Sequence, residues 1–433
     1  MRVWTRTVLL ALSAAACAHP DTSARPSPHD DPRPRVENAA ARSTDARDGW
    51  ARFLGHDYAG SARSYERAFG ANSGDDVSLY LTALASLRAG DTPAAMTWLT
   101  RLADLGSDLV PTDAQFHDLA PNPEFRTLTA RIAANSAHHR RSAESFRTAE
   151  KGLMVEGIAY DPVEGAFYLG SVRRRKIVKV PRGRPPADFV TPRAGLDAVG
   201  GIRVDAGRRR LWAVSSADAR QDGFTEAVGG RNALVEIDLG TGALLGSYPL
   251  SEAGEHVLND VAVDADGRPF ATDTRSGQIY TLAQGRRSLA PLFDTPPFLY
   301  PNGLTFDDEG KVLFVGDASG VHRVDVKTRN VTRLAQAQGI PLVFIDGLYF
   351  VRSQTGPRLV GIQVVAGPGR VLTATLSPAL DAITRVEILE SNHPSFDAPT
   401  TGAIVGGAMF MIANSQQWVP REPSETIVLK TPL

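Results

Sequence analysis

Two textures divide the chain. From residue 46 to about residue 134 apolar side chains recur at helical spacing: Trp50, Phe53, Tyr58, Ala62, Tyr65 and Ala68 gather on helix faces. Phe116, Leu119, Phe125 and Leu128 continue that pattern around the breakers Pro121 and Pro123. Beyond Lys151 the texture changes to short runs of β-branched and aromatic residues, ended by Gly, Asp or Pro. Residues 156–161, 165–170 and 176–180 read as three successive strands, and 261–263, 269–272 and 278–282 as another three. A third set comprises 304–306, 312–315 and 320–324, with Asp307-Asp308-Glu309-Gly310 as its first hairpin turn.

The strand-rich part carries a six-fold motif. A small or polar lead residue is followed by Gly or Asp, then an apolar residue and a short strand-like run. The leads are Glu156, Gly200, Asn259, Asn302, Asp346 and Thr401, separated by 44, 59, 43, 44 and 55 residues. Units of that size with three or four antiparallel strands each predict an all-β six-bladed β-propeller. The inner strand of every blade would line a central channel.

The helical part has its own period. Asp57, Tyr65, Arg67 and Ala68 are followed 34 residues later by Asp91, Leu99, Arg101 and Leu102, the spacing of tetratricopeptide repeats. Leu87-Arg88-Ala89-Gly90-Asp91 supplies a turn between two helices. About two such repeats are too few for a free-standing array, which suggests a small helical domain that packs on the rest or docks a protein partner. The expected layout is a signal over 1–17, a flexible linker over 18–45, a helical domain over 46–135, a second linker over 136–150 and a propeller over 151–433.

The N-terminus bears on location. Arg2 and Arg6 form a basic region, and Val8-Leu9-Leu10-Ala11-Leu12 is apolar but too short to span a bilayer. The small residues Ser13-Ala14-Ala15-Ala16 lead into Cys17, the only cysteine of 433 residues. This resembles the lipobox of bacterial lipoproteins, in which the cysteine becomes the lipidated first residue, although Ala14 stands where Leu is usual. The resemblance implies export and a lipid anchor in the bacterial envelope, on the periplasmic face or outer membrane. An ordinary cleavage site with an incidental cysteine is the alternative. The balance of 47 basic and 48 acidic residues gives no electrostatic case for nucleic acid or for an anionic membrane surface, so membrane contact is expected only through the lipid. His138-His139 would point to different helix faces and reads as solvated linker.

In a propeller the residue before each inner strand points into the same channel mouth. Glu156, Asn259, Asn302 and Asp346 there form an all-oxygen shell of formal charge −2, suited to one divalent cation, Ca²⁺ above others. Zinc is disfavoured because no His or Cys holds an equivalent position. The competing reading is that Asn, Asp and Gly are simply what turns prefer. That explains any one position, and explains Gly200 best, but accounts less well for the set.

From about Met154 onward the chain resembles the senescence-marker-protein, gluconolactonase and luciferin-regenerating-enzyme family, and more distantly the paraoxonases and strictosidine-synthase-like propellers. The motifs are Glu156-Gly157-Ile158; Leu258-Asn259-Asp260 with Asp264-Ala265-Asp266-Gly267 and Ala271-Thr272-Asp273-Thr274; Pro301-Asn302-Gly303-Leu304 with Val315-Gly316-Asp317; and Ile345-Asp346-Gly347-Leu348. The resemblance implies one divalent cation held by Glu156, Asn302 and Asp346, with Asn259 a substrate contact in one branch and a metal ligand in another. Val257 stands where the sugar-lactonase branch has an arginine that binds substrate hydroxyls, which puts an aldonolactone substrate in doubt.

The expected function is calcium-dependent hydrolysis of a small lactone or ester, the metal polarising the carbonyl. Asp346 is the expected base, with Asp273 as fallback. No Gly-x-Ser-x-Gly motif and no cysteine beyond Cys17 is present, which argues against a covalent acyl-enzyme. Arg173, with Arg174 and Arg175, can reach an anionic substrate or form a solvated turn. Asn414, with Ser415 and Gln416, can line the pocket or end a strand. The rival function is a non-catalytic envelope lipoprotein that binds ligands or proteins through the propeller and the helical repeats.

Overall fold

The computed structural model describes residues 44–71, 75–111, 115–250, 252, 254–283, 285, 287–336, 339–364, 369–416 and 422–433. Cys17 and the expected signal lie outside these residues. The chain divides into two units, one mostly helical and ending at Ala137, the other beginning at His138.

The helical unit comprises α1 (Thr44–Leu54), α2 (Tyr58–Ala71), α3 (Asp76–Arg88), α4 (Thr92–Asp104) and α5 (Pro123–Ala134), with a single 3₁₀ turn at His117–Leu119. Capping explains its boundaries. Asp57 accepts from the Gly60 amide at 2.9 Å, and Asp91 accepts from the Ala94 amide at 3.0 Å, so the two aspartates 34 residues apart start equivalent helices. Gly90 closes α3 with a φ of 84°, a backbone state that glycine adopts without strain. Leu79, Ala83, Leu99, Leu102, Phe116 and Ile132 form the unit's buried centre. Among the described residues no helix is long and apolar enough to cross a membrane.

The second unit is a six-bladed β-propeller. The first blade has strands Val155–Asp161, Ala166–Ser171, Lys176–Pro181 and Ala187–Val190, numbered from the channel outward. The second runs Ala198–Asp205, Arg210–Ser216, Asn232–Asp238 and Leu244–Pro249, and the third Leu258–Val263, Pro269–Asp273, Gln278–Thr281 and Ala290–Pro291. The fourth is Leu304–Phe306, Val312–Asp317, Gly320–Asp325 and Asn330–Arg333. The fifth is Ile345–Ser353, Gly356–Gln363, Arg370–Leu376 and Ala382–Ser391, edged by the parallel pair Ala335–Gln336.

The sixth blade closes the ring. Its inner strands are Gly402–Val405, Ala408–Ile412 and Glu425–Pro432, and its outer strand is Ala143–Lys151, paired antiparallel to Glu425–Pro432. The expected linker over 136–150 therefore includes most of a blade strand. The ladder joins the two ends of the propeller sequence, so the wheel cannot open without breaking backbone hydrogen bonds.

Apolar clusters lie between neighbouring blades rather than at the hub. Tyr168, Val199, Leu211 and Val235 pack between the first and second blades, and Phe270, Leu304, Leu313 and Val315 between the third and fourth. Leu153, Ile158, Ile412 and Val428 join the sixth to the first. The hub is thus left for polar side chains.

Candidate functional site

Register places the lead residues at one end of the channel. Val155 pairs with Ser171, Leu258 with Asp273, Leu304 with Val315 and Ile345 with Gln363, so each inner strand begins beside the turn that follows its second strand. The inner strands touch in ring order. A Cβ on Gly157 would fall 2.3 Å from the Gly200 carbonyl, and one on Gly303 would fall 2.5 Å from that of Asp346. Only glycine permits this spacing. The Thr400 and Thr401 hydroxyls donate to the Glu156 carbonyl at 3.1 and 2.5 Å, joining the sixth blade to the first.

The four oxygen-bearing leads therefore sit in sequence round one mouth. Glu156 is buried and Asp346 almost wholly so. Asn259 is oriented by its amide nitrogen, which donates to Thr274 Oγ1 at 3.0 Å, leaving the amide oxygen for another partner. Asn302 is fixed through its backbone, whose N–H donates to Gly316 O and whose carbonyl accepts from Thr272 Oγ1 at 2.8 Å. Its side-chain oxygen is buried with no hydrogen-bond partner among the described residues. A buried amide oxygen without a donor is costly unless a ligand meets it. The donor set, two carboxylates and two amides, suits a hard divalent cation. Among the described residues no three His, Cys, Asp or Glu side chains cluster at metal-binding spacing. Gly200 brings no side chain, and Thr401 turns its hydroxyl to the Glu156 backbone.

One further hub residue escaped the sequence reading. The position after the lead is Gly157, Gly201, Gly303, Gly347 and Gly402 in five blades, but Asp260 in the third. Asp260 Oδ1 accepts from the Val261 amide at 2.8 Å, while Oδ2 is buried with no hydrogen-bond partner among the described residues. Gly201 makes room for it, since a Cβ there would meet Asp260 Oδ1 at 2.4 Å. Burial pushes the Asp260 carboxyl up to about 6, and the nearby Asp346 charge adds to this against the opposing effect of Arg203. The signal was the lone carboxylate in a column of glycines.

Below that layer the channel is bridged. Arg203 Nε donates to Val261 O at 3.2 Å and Nη2 to Leu304 O at 3.4 Å, and its guanidinium lies 5.6 Å from the centre of the Tyr349 ring. Tyr349 Oη accepts from the Gly402 amide at 2.6 Å, and burial raises its ionisation well above the phenol range. Arg203 and Tyr349 thus link the inner strands of five blades.

Other expected site residues have different surroundings. Asp273 is fully buried and accepts from His256 Nδ1 at 2.6 Å and from the amides of Val257, Arg275 and Ser276 at 3.0 to 3.2 Å. Four donors thus hold Asp273, the expected fallback base, between two mouth loops. Asp317 repeats the arrangement in the fourth blade, accepting from the Leu299, Ser319 and Gly320 amides. Asn414, expected to line the pocket or end a strand, has its nitrogen donating to Glu425 O at 2.9 Å and its oxygen accepting from the Ile427 amide at 2.6 Å, so both ends of its amide hold backbone.

Arg173 lies at the mouth end, just past Ser171. It stands 3.5 Å from Asp222, which also takes Arg174 at 2.7 Å. The arginine run is therefore tied to the second blade's 217–231 loop, with the Arg173 side chain 38% exposed. His256, not anticipated, donates to Asp273 through Nδ1, and its Nε2 is buried with no partner among the described residues.

No family model matches the sequence, and no curated protein matches it. Among solved structures, the chain is similar to a gluconolactonase from Xanthomonas campestris, at 15% identity over 67% of this chain and 95% of the other, with a TM-score of 0.44. It is also similar to an oxidoreductase described as a glucose dehydrogenase from Thermus thermophilus, at 17% identity over 67% and 99%, TM-score 0.45. An aldose sugar dehydrogenase from Streptomyces coelicolor in its PQQ-bound form has 15% identity over 68% and 99%, TM-score 0.45. Such distant likenesses carry no assignment of chemistry, and the propeller itself is defined by the strand order above.

Proposed function

We propose that the propeller is a calcium-dependent hydrolase of a lactone or ester. The observation that supports this most is the side-chain oxygen of Asn302, buried with no hydrogen-bond partner among the described residues, at the channel mouth that Glu156, Asn259 and Asp346 share. These four residues would hold the ion, which when bound would polarise a substrate carbonyl as a Lewis acid. The chain's own groups do the rest. Thr274 aims the Asn259 amide, the Gly157 and Gly303 contacts set the spacing of the leads, and Asp346 would accept a proton from an attacking water. Arg203 and Tyr349 bridge the channel below, so substrate approaches from the mouth.

The test is hydrolysis of a lactone and aryl-ester panel by the purified protein after chelation, with and without added Ca²⁺. Activity lost on chelation and restored by Ca²⁺ is the expected outcome. No turnover on any member, with an unchanged melting temperature on chelation, would exclude both the enzyme and the cation. Loss of thermal stability without turnover would point to a purely structural ion.

A further inference from the structure

We infer that the mouth selects substrates with an apolar acyl or alkyl portion, and that Met154, Val257, Tyr300 and Phe344 form the rim that selects them. The inference deepens the hydrolase reading and rests on it for the place of the reacting carbonyl. Each of the four stands two residues before one of the four oxygen-bearing leads. The equivalent residues of the two remaining blades are Ala198 and Pro399, so no charged or amide side chain occupies this level in any blade.

Backbone contacts fix the level at the mouth. The Val172 amide donates to Met154 O at 3.1 Å and the Thr274 amide to Val257 O at 3.0 Å, each from the turn after the second strand of the same blade. The Phe344 amide donates at 3.0 Å to Asp317 O, in the corresponding turn of the fourth blade. Three of the four residues adopt left-handed backbone, with φ of 50° at Met154, 60° at Tyr300 and 51° at Phe344. Large side chains rarely adopt that conformation, and glycine would adopt it freely. Such strain persists where the surrounding structure holds it and is concentrated at functional sites.

Exposure grades across the rim. Val257 is 39% exposed, Met154 and Tyr300 are part-buried, and Phe344 is buried. A solvated apolar residue beside a polar ion shell gives an acyl chain a surface to cover, whereas a polyol would find few partners at this level. The Arg203 and Tyr349 bridge leaves the rim as the place for that chain.

Binding of products tests this without requiring turnover. The whole protein with Ca²⁺ is titrated calorimetrically with butanoate, hexanoate, octanoate and gluconate. Octanoate is expected to bind at least about 10-fold more tightly than butanoate, since each buried methylene contributes roughly three- to four-fold. Gluconate should bind no better than butanoate. Val257→Arg, at an exposed position, and Tyr300→Asn, which keeps a residue tolerant of left-handed backbone, should each reduce the octanoate preference by about 3-fold or more.

An affinity independent of chain length, undetectable octanoate binding, tighter gluconate binding or an unchanged preference in both variants overturns the inference. The ester panel separates the two readings. A chain-length preference without hydrolysis keeps the apolar rim and removes the hydrolase, while hydrolysis without a preference does the reverse.

Discussion

Asp75 in the helical unit and Asp260 in the propeller are buried to the same degree, and burial pushes both carboxyls up to about 6. Their surroundings differ. Asp75 caps α3, accepting from the Ser78 amide at 2.9 Å and from the Ser78 hydroxyl at 2.5 Å. Asp260 has one oxygen with no hydrogen-bond partner among the described residues, beside Asp346 in a channel whose other blades offer only glycine at that level. A displaced ionisation therefore does not mark a site by itself. In α3 it is the cost of a buried cap, and at the hub it accompanies one oxygen each of Asp260 and Asn302 that has no hydrogen-bond partner among the described residues.

The largest expected effect breaks the comparison at the hub. Asp346→Ala should lower Ca²⁺-dependent kcat/KM by at least about 100-fold, the scale of losing a main transition-state contact, while circular dichroism still shows the propeller. Near-normal activity in this variant would remove Asp346 as base and the four-residue shell with it.

A mid-sized effect concerns polar groups that the fold has already satisfied. Asn414→Ala leaves the Ile427 amide and the Glu425 carbonyl without their side-chain partner, and should destabilise the propeller by about 1–3 kcal/mol in denaturant titration. Its KM should stay unchanged. A raised KM at unchanged stability would return Asn414 to the substrate site.

The smallest effect tests the helical cap. The Asp75 carboxyl is raised from 3.8 to about 6 on folding, so the folded state takes up the proton first and stability contributed by this group increases as pH falls through 6 towards 3.8. Amide exchange in α3, corrected for intrinsic rate, should show opening at pH 7.5 easier than at pH 5 by about 1.4 kcal/mol, with Asp75→Asn reducing the difference. An unchanged difference in the variant would assign the dependence elsewhere.

Much of this was legible because it is local. The 34-residue step from Asp57 to Asp91 is visible in sequence and reappears as paired helix caps. The lead motif is equally local, since an inner strand must start after a turn and its first residues alternate in a short register. The closing strand at 143–151 was not legible: its partner lies near residue 430, and an edge strand with one buried residue has no apolar alternation to reveal it. Asp273 illustrates the converse. Its sequence neighbours suggested a reactive carboxylate, yet four donors from two loops occupy it.

By itself the sequence determined the two units, the six-fold repeat and the four oxygen-bearing leads, because periodicity and turn chemistry act over a few residues. Tertiary structure alone decided which polar atoms were consumed and which were left over. Asn414, just after the second strand of its blade, and Asn302, just before the inner strand of another, are the same residue type, but one amide holds backbone at both ends and the other keeps a buried oxygen with no hydrogen-bond partner among the described residues. That distinction depends on what the other blades bring within about 3 Å, which no local pattern encodes.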